Sequence, residues 1–185
     1  MVDIGDKAPA FKGTTDGGGT LSLKDLKGKK VVLYFYPKDD TPGCTTEAQG
    51  FRDALGAFSK LGAEIVGVSK DSVKRHDNFK AKYDLPFRLI SDEDGAICEA
   101  YGVWQEKKNY GKTYMGIVRS TFLIDEKGKI AEMWRNLRVK GHVEKVLEAA
   151  RNEADFLIGC NGRGAQASSI EHPISLEEAS IDEQF

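Results

Sequence analysis

The sequence predicts an α/β fold, a central mixed β-sheet flanked by helices on both faces. Two β-branched and aromatic runs, Val31–Tyr36 and Glu64–Ser69, read as buried strands. They alternate with two segments of helical character, Thr45–Lys60 and Ser72–Tyr83. A strand, a tight turn, a second strand and a long helix then follow over residues 118–153. Alternation of this kind builds a sheet covered on two sides.

The chain has 185 residues, 40% hydrophobic and 30% charged, enough for one domain with a core. Its net charge of −2 gives no basic field for nucleic acid or an anionic membrane. No apolar run approaches the ~18 residues of a membrane span. The first six residues carry Asp3 and Asp6 and no apolar centre, so they are not a signal peptide. Cys44, Cys98 and Cys160 are three in number and far apart, which is no disulfide framework. A reducing cytoplasm is the expected location.

The elements follow in order. Ala10–Lys12 and Thr20–Leu23 are expected to pair as a hairpin around the Gly17-Gly18-Gly19 tract. That tract is not followed by Gly-Lys-Ser/Thr and opens no helix, so it is a turn and not a phosphate loop. Ser22–Leu26 is expected to form one helical turn. After Val31–Tyr36, Pro37 ends the strand because it has no N–H for a ladder. Ala48, Phe51, Leu55 and Phe58 share one face of the helix that follows. Ser72 is a suitable N-cap for the next helix. Phe87–Ile90 is a short strand, and Ala96–Tyr101 a short helix containing Cys98. Residues 104–114 read as a polar loop with Lys107, Lys108 and Lys112 solvated. Val118–Ile124 and Ile130–Trp134 read as a hairpin joined at Asp125–Gly128. Val139–Glu153 reads as a helix with Val143, Val146, Leu147 and Ala150 inward. We therefore read residues 1–153 as one domain. Residues 154–185 carry six acids and one base and read as an acidic extension, docked on the surface or partly disordered. Within it, Ser175 and Glu178 fit a capping box for a last short helix.

The chemistry concentrates in Pro37–Glu47. Thr41-Pro42-Gly43 is turn chemistry, and it delivers Cys44 to the start of a helix. Unpaired backbone N–H groups and the positive end of the helix dipole favour a thiolate there. A free thiol has a pKa of about 8.5 and is only a few per cent thiolate at neutral pH, so activation helps. Further rate must come from donors aimed at the negative charge that moves from the sulfur to a leaving atom in the transition state. The backbone around Gly43 and Cys44 and the hydroxyl of Thr41 are candidates, and Pro37 offers an apolar lid. A cation should complete the site, and sequence order alone does not say which one.

Pro37, Thr41 and Cys44, set as Pro-x-x-x-Thr-x-x-Cys after a buried strand, resemble the active-site signature of the peroxiredoxins. The surrounding stretch is similar to the bacterioferritin comigratory protein (PrxQ) subfamily. Matches also lie at Gly5–Phe11, Phe35–Lys38, Tyr101–Trp104 and Gly111–Asp125, so the resemblance covers about residues 3–152. It implies a thioredoxin-like fold and reduction of hydrogen peroxide and organic hydroperoxides. It implies recycling by thioredoxin or another thiol, no metal or organic cofactor, and a monomer or weak dimer. It also implies that Arg119 is the missing cation and that Glu47 orients it.

One departure concerns recycling. The position for a resolving cysteine five residues after Cys44 holds Gln49, and the other family position, near residue 80, holds Lys80. Cys98, beside Ile97, Ala100 and Tyr101, reads as a core thiol. Cys160 is either incidental or a resolver. The expected behaviour is that of a one-cysteine enzyme. Position 47 is Glu, so Cys44 belongs to no Cys-x-x-Cys exchanger. His76, His142 and His172 are scattered and read as surface residues rather than a metal cluster. A second class stays open, a thioredoxin-fold redox sensor or partner-binding protein with low turnover. Consumption of peroxide with dithiothreitol separates the two.

Overall fold

The computed structural model describes the backbone of residues 1–161 and the side chains as far as Glu153. The elements are β1 (Lys12–Thr15), β2 (Thr20–Ser22), β3 (Lys30–Phe35), α1 (Pro42–Lys60), β4 (Ala63–Ser69), α2 (Val73–Tyr83), β5 (Arg88–Ser91) and α3 (Ala96–Ala100). They continue with β6 (Trp104–Asn109), β7 (Lys112–Ile117), β8 (Ser120–Ile124), β9 (Ile130–Arg135) and α4 (His142–Asn161). Seven strands form one mixed sheet in the order β2-β1-β5-β4-β3-β8-β9. β3, β4 and β5 run parallel through the crossovers of α1 and α2, and β8 returns antiparallel beside β3.

β3 is apolar on both sides because both its faces are covered. Val31, Leu33 and Phe35 point into one core with Ile97, Cys98, Tyr101 and Phe122. Val32, Tyr34 and Tyr36 point into the other with Cys44, Phe51 and Phe58 of α1, Phe79 of α2 and Val146 of α4. Thus α1, α2 and α4 cover one face, and α3 with the N-terminal segment covers the other. The strand spacing is tight at Gly67, where a Cβ would lie 2.7 Å from Leu89 and 2.9 Å from the Tyr34 hydroxyl.

Several expectations are corrected. Residues 104–114 are not a loop, because β6 and β7 pair from Trp104↔Ile117 to Asn109↔Lys112. Their two-residue turn is Tyr110-Gly111, both at positive φ (48° and 75°), and Tyr110 is a poor signal for such a turn. α1 starts at Pro42, not Thr45, since proline suits the first helical position. α4 begins at His142 and runs on to Asn161 rather than ending at Glu153. His76 and His142 are not surface residues but are 0% and 3% exposed. Each lies on the inward stripe of its helix, His76 with Phe79 and His142 with Val143 and Val146. Residues 162–185, with His172 and the Ser175–Glu178 capping box, lie outside the described residues, as does the side chain of Cys160.

Candidate active site

β3 delivers the chain to the site at its C-terminal end, where the parallel half of the sheet meets the antiparallel half. Pro37 follows the buried Tyr36 and is exposed. Thr41 caps α1 with extended geometry (φ −96°, ψ 154°), and its carbonyl accepts the first helical bond from Thr45 at 2.8 Å. Its hydroxyl donates to the Lys38 carbonyl at 2.9 Å. Cys44 lies in the first turn of α1 and is only 2% exposed.

Arg119 reaches this turn from across the sheet. The antiparallel register opposes Phe35 to Ser120, which places Arg119 just beyond the end of β8, level with the loop that follows β3. The sequence reading put Arg119 within that strand; it precedes it. Its Nη2 donates to Cys44 Sγ at 3.1 Å. Its Nη1 donates to Glu47 Oε2 in a short ion pair. Gly43 leaves room for the guanidinium, since a Cβ there would lie 3.3 Å from Nη2.

Glu47 is 0% exposed, and its second oxygen has no hydrogen-bond partner. Burial pushes its carboxyl up to about 7, against the pull of Arg119. Burial opposes the charge of Arg119, but Glu47 and Cys44 outweigh it and hold the guanidinium charged. Behind this pair, His142 Nε2 and Thr121 Oγ1 are 2.8 Å apart, with Phe51 and Trp134 edge-on to the ring. Burial, then Lys145 and Arg119, press His142 down to about 4, so it is a neutral wall. Glu144, two residues on, pulls the other way but does not offset them.

The structure therefore gathers Cys44, Arg119 and Glu47 into one contact. Thr41 lies at the helix cap with its hydroxyl donating to the Lys38 carbonyl, and Pro37 is exposed in the loop after β3. The sequence reading missed two buried groups next to this site, the His142–Thr121 pair and a His76–Asp39–Tyr36 cluster under the loop. The spacing of His76 and Phe79 on one helical stripe was the available signal.

Cys98 lies in the other core. It is 0% exposed and belongs to the cluster on the opposite side of the sheet from Cys44. Burial, then the Asp92 carboxylate that receives the Cys98 backbone N–H at 2.8 Å, push its thiol far up. Such a thiol is inert.

No helix among the described residues is long and apolar enough to cross a membrane. Residues 4–133 match the AhpC/TSA family. A Coxiella burnetii protein named putative peroxiredoxin bcp is 58% identical over 146 residues, which is 79% of this chain and 97% of the relative. Peroxiredoxin Bcp of Bacillus subtilis is 51% identical over 154 residues, 83% of this chain and 98% of the relative. A structure of the bacterioferritin comigratory protein of Xanthomonas campestris, determined to study alkyl peroxide reduction, superposes with a TM-score of 0.75. It is 47% identical and covers 78% of this chain and 92% of its own. With a thioredoxin-like sheet, a helix-start cysteine under an arginine and relatives of this kind along most of its length, the chain belongs to the AhpC/TSA family as a peroxiredoxin of the Bcp/PrxQ type.

Proposed function

We propose that Cys44 is the thiol that attacks the peroxide. The observation that carries this reading is the 3.1 Å contact from Arg119 Nη2 to Cys44 Sγ at the start of α1. A guanidinium donor and the helix N-terminus both favour negative charge on that sulfur. The Cys44 thiolate attacks one peroxide oxygen, the O–O bond breaks, and its electron pair leaves on the second oxygen as alkoxide or hydroxide, which takes a proton. Arg119 and the backbone N–H groups near Gly43 and Cys44 stabilise the charge that moves. The Thr41 hydroxyl, its proton held by Lys38, keeps lone pairs to accept the hydroperoxide O–H. Pro37 shields the mouth without a competing N–H. Glu47 holds the guanidinium in place.

The product on the enzyme is the Cys44 sulfenic acid. A first thiol condenses with it to a mixed disulfide and water, and a second thiol releases Cys44 and an external disulfide. Thioredoxin or another thiol serves as that reductant, and hydrogen peroxide and organic hydroperoxides are the substrates. Gln49 and Lys80 occupy the two positions where a resolving cysteine would stand, and the sheet separates Cys98 from Cys44. A disulfide needs Cα atoms within about 7 Å, so separation by the sheet favours one-cysteine recycling, with Cys160 as the first alternative partner. We place the enzyme in the cytoplasm as a monomer or weak dimer. Residues 1–153 act as the peroxidase domain and 154–185 as an acidic extension.

The test is a single exposure of reduced protein to hydrogen peroxide, followed by mass spectrometry of the Cys44 peptide. One added oxygen on Cys44, and no turnover in Cys44→Ser, are expected. Turnover within threefold of wild type in Cys44→Ser would overturn the reading.

A further inference from the structure

The loop that carries Pro37 and Thr41 is held from beneath by a buried charged cluster. His76 on α2 is 0% exposed, and Asp39, between Pro37 and Thr41, is 2% exposed. His76 Nδ1 is 2.7 Å from Asp39 Oδ2, and Nε2 is 3.0 Å from the Ile90 carbonyl on β5. Asp39 Oδ1 accepts the Tyr36 hydroxyl proton at 2.6 Å. A carbonyl oxygen has no proton to give, so Nε2 must carry one. Asp39 already receives the Tyr36 proton, and its other oxygen faces Nδ1. The arrangement suits a ring with both nitrogens protonated, lying against an ionised carboxylate.

The rest of the loop is tied to the same helix. The Asp39 N–H donates to Asp71 at 2.8 Å, and Asp71 also accepts from Ser69 at 2.7 Å and Arg75 at 2.8 Å. Asp40, at φ 58°, accepts from Lys82 and from Tyr83 near the end of α2, at 2.8 Å and 2.6 Å. The surface ties to Lys82 are replaceable by water. The His76–Asp39 pair is not, because either partner left alone would be an uncompensated buried charge.

We propose that His76 is a positioning residue of the peroxide site: by holding Asp39 it fixes the loop that presents the Thr41 hydroxyl to a peroxide on Cys44. The inference rests on the reading of Cys44 as the peroxide-reacting thiol. His76 touches neither Cys44 nor Arg119, so its effect is on geometry and not on the sulfur. Burial disfavours its charge, yet Asp39, the Ile90 carbonyl and Asp71 outweigh that and raise its proton affinity above the ordinary histidine value. The facing groups are Tyr36 and Asp39 from the loop, Asp71 and Ser69 after β4, Arg75 on α2 and the β5 carbonyl. The histidine charge of the clamp is therefore fully present below the ordinary histidine value and is lost as pH rises through the higher folded value of His76.

The experiment is rapid-mixing oxidation of Cys44 by hydrogen peroxide across pH, in wild type, His76→Leu and His76→Asn. His76→Leu should slow oxidation by on the order of 10- to 100-fold, the usual effect of a small misplacement. His76→Asn, whose amide can donate to Asp39, should recover most of that rate and lose the high-pH decline of wild type. Alkylation of Cys44 by neutral iodoacetamide should stay within twofold in all three. A wild-type rate in His76→Leu, or the wild-type high-pH decline retained in His76→Asn, overturns the proposal alone. Nitrogen NMR of wild type gives a readout that needs no variant, and a His76 ring with one protonated nitrogen at mildly acidic pH, below the ordinary histidine value, also overturns it. If wild-type Cys44 does not react with peroxide, the site reading fails and this inference falls with it.

Discussion

Arg119 Nη2 lies 3.1 Å from Cys44 Sγ, although 75 positions of chain separate the two residues. The contact is set by strand register, because Phe35 opposes Ser120 where β3 and β8 meet. A side chain just outside one strand thus completes a site that begins just outside another. Losing this donor should cost about 2.7–4 kcal/mol in the barrier, or roughly 100- to 1000-fold in the rate of peroxide reduction. Arg119→Ala should also slow alkylation of Cys44 at mildly acidic pH. Arg119→Lys should recover little, since an ammonium cannot span sulfur and carboxylate together. Stopped-flow peroxide oxidation of the two variants checks this.

Glu47 offers a stability test with a defined sign. Its carboxyl is raised to about 7 in the folded chain from an ordinary 4.5. A raised acid stabilises the fold fully below its unfolded value, and that contribution is lost as pH rises through the folded value. Wild type should therefore lose about 3 kcal/mol relative to Glu47→Gln between pH 4 and pH 8, a shift of this size being worth roughly 1.4 kcal/mol per unit. Parallel urea titrations at several pH values measure it, and equal pH slopes in the two proteins would count against it.

Gly43 separates stability from chemistry. Glycine in a helix costs roughly 0.5–1 kcal/mol relative to alanine, so Gly43→Ala should hold or raise the melting temperature. The new methyl would lie 3.3 Å from Arg119 Nη2, tighter than ordinary packing, and should shift the guanidinium off the sulfur. Peroxide oxidation is expected to slow by on the order of tenfold. Faster or unchanged oxidation would show that the guanidinium adapts.

The place of Cys98 in the opposite core argues against recycling through it. Cys98→Ser should keep turnover within twofold with thioredoxin as sole reductant. Peroxide-treated wild type without reductant should yield no peptide joining Cys44 to Cys98. With excess peroxide, Cys44 sulfenic acid should pass on to sulfinic acid. Loss of most turnover in Cys98→Ser would require α3 to leave its core.

Much of this was legible in the residues. The run Val31–Tyr36, apolar on both alternating sets, announces a strand covered on two sides. Thr41-Pro42-Gly43-Cys44 announces a cysteine at a helix start. Arg119 was reached by resemblance, and no local rule would have found it, because antiparallel pairing is a long-range fact. The β6–β7 hairpin escaped because β6 is polar beyond Trp104, most of both strands is exposed, and Tyr110 adopts the positive φ of the turn. His76 and His142 escaped because a titratable ring on a helix reads as solvated unless its partners are known. Those partners, Asp39 and Thr121, lie 37 and 21 positions away.

Cys98 gives the molecule an internal clock. Its thiol lies in the sealed core on the far side of the sheet, so a thiol reagent meets it only when that core opens. When opening and reclosing outrun labelling, the rate reports the population of opened chains; when labelling outruns reclosing, it reports the opening rate itself. Cys44, 2% exposed in the first turn of α1, needs only a local movement of its loop to meet the same reagent. One labelling time course on unmodified protein, read by peptide mapping that separates Cys160 from both, can therefore report local access at Cys44 and opening of the far core at Cys98, with no dye or added reporter.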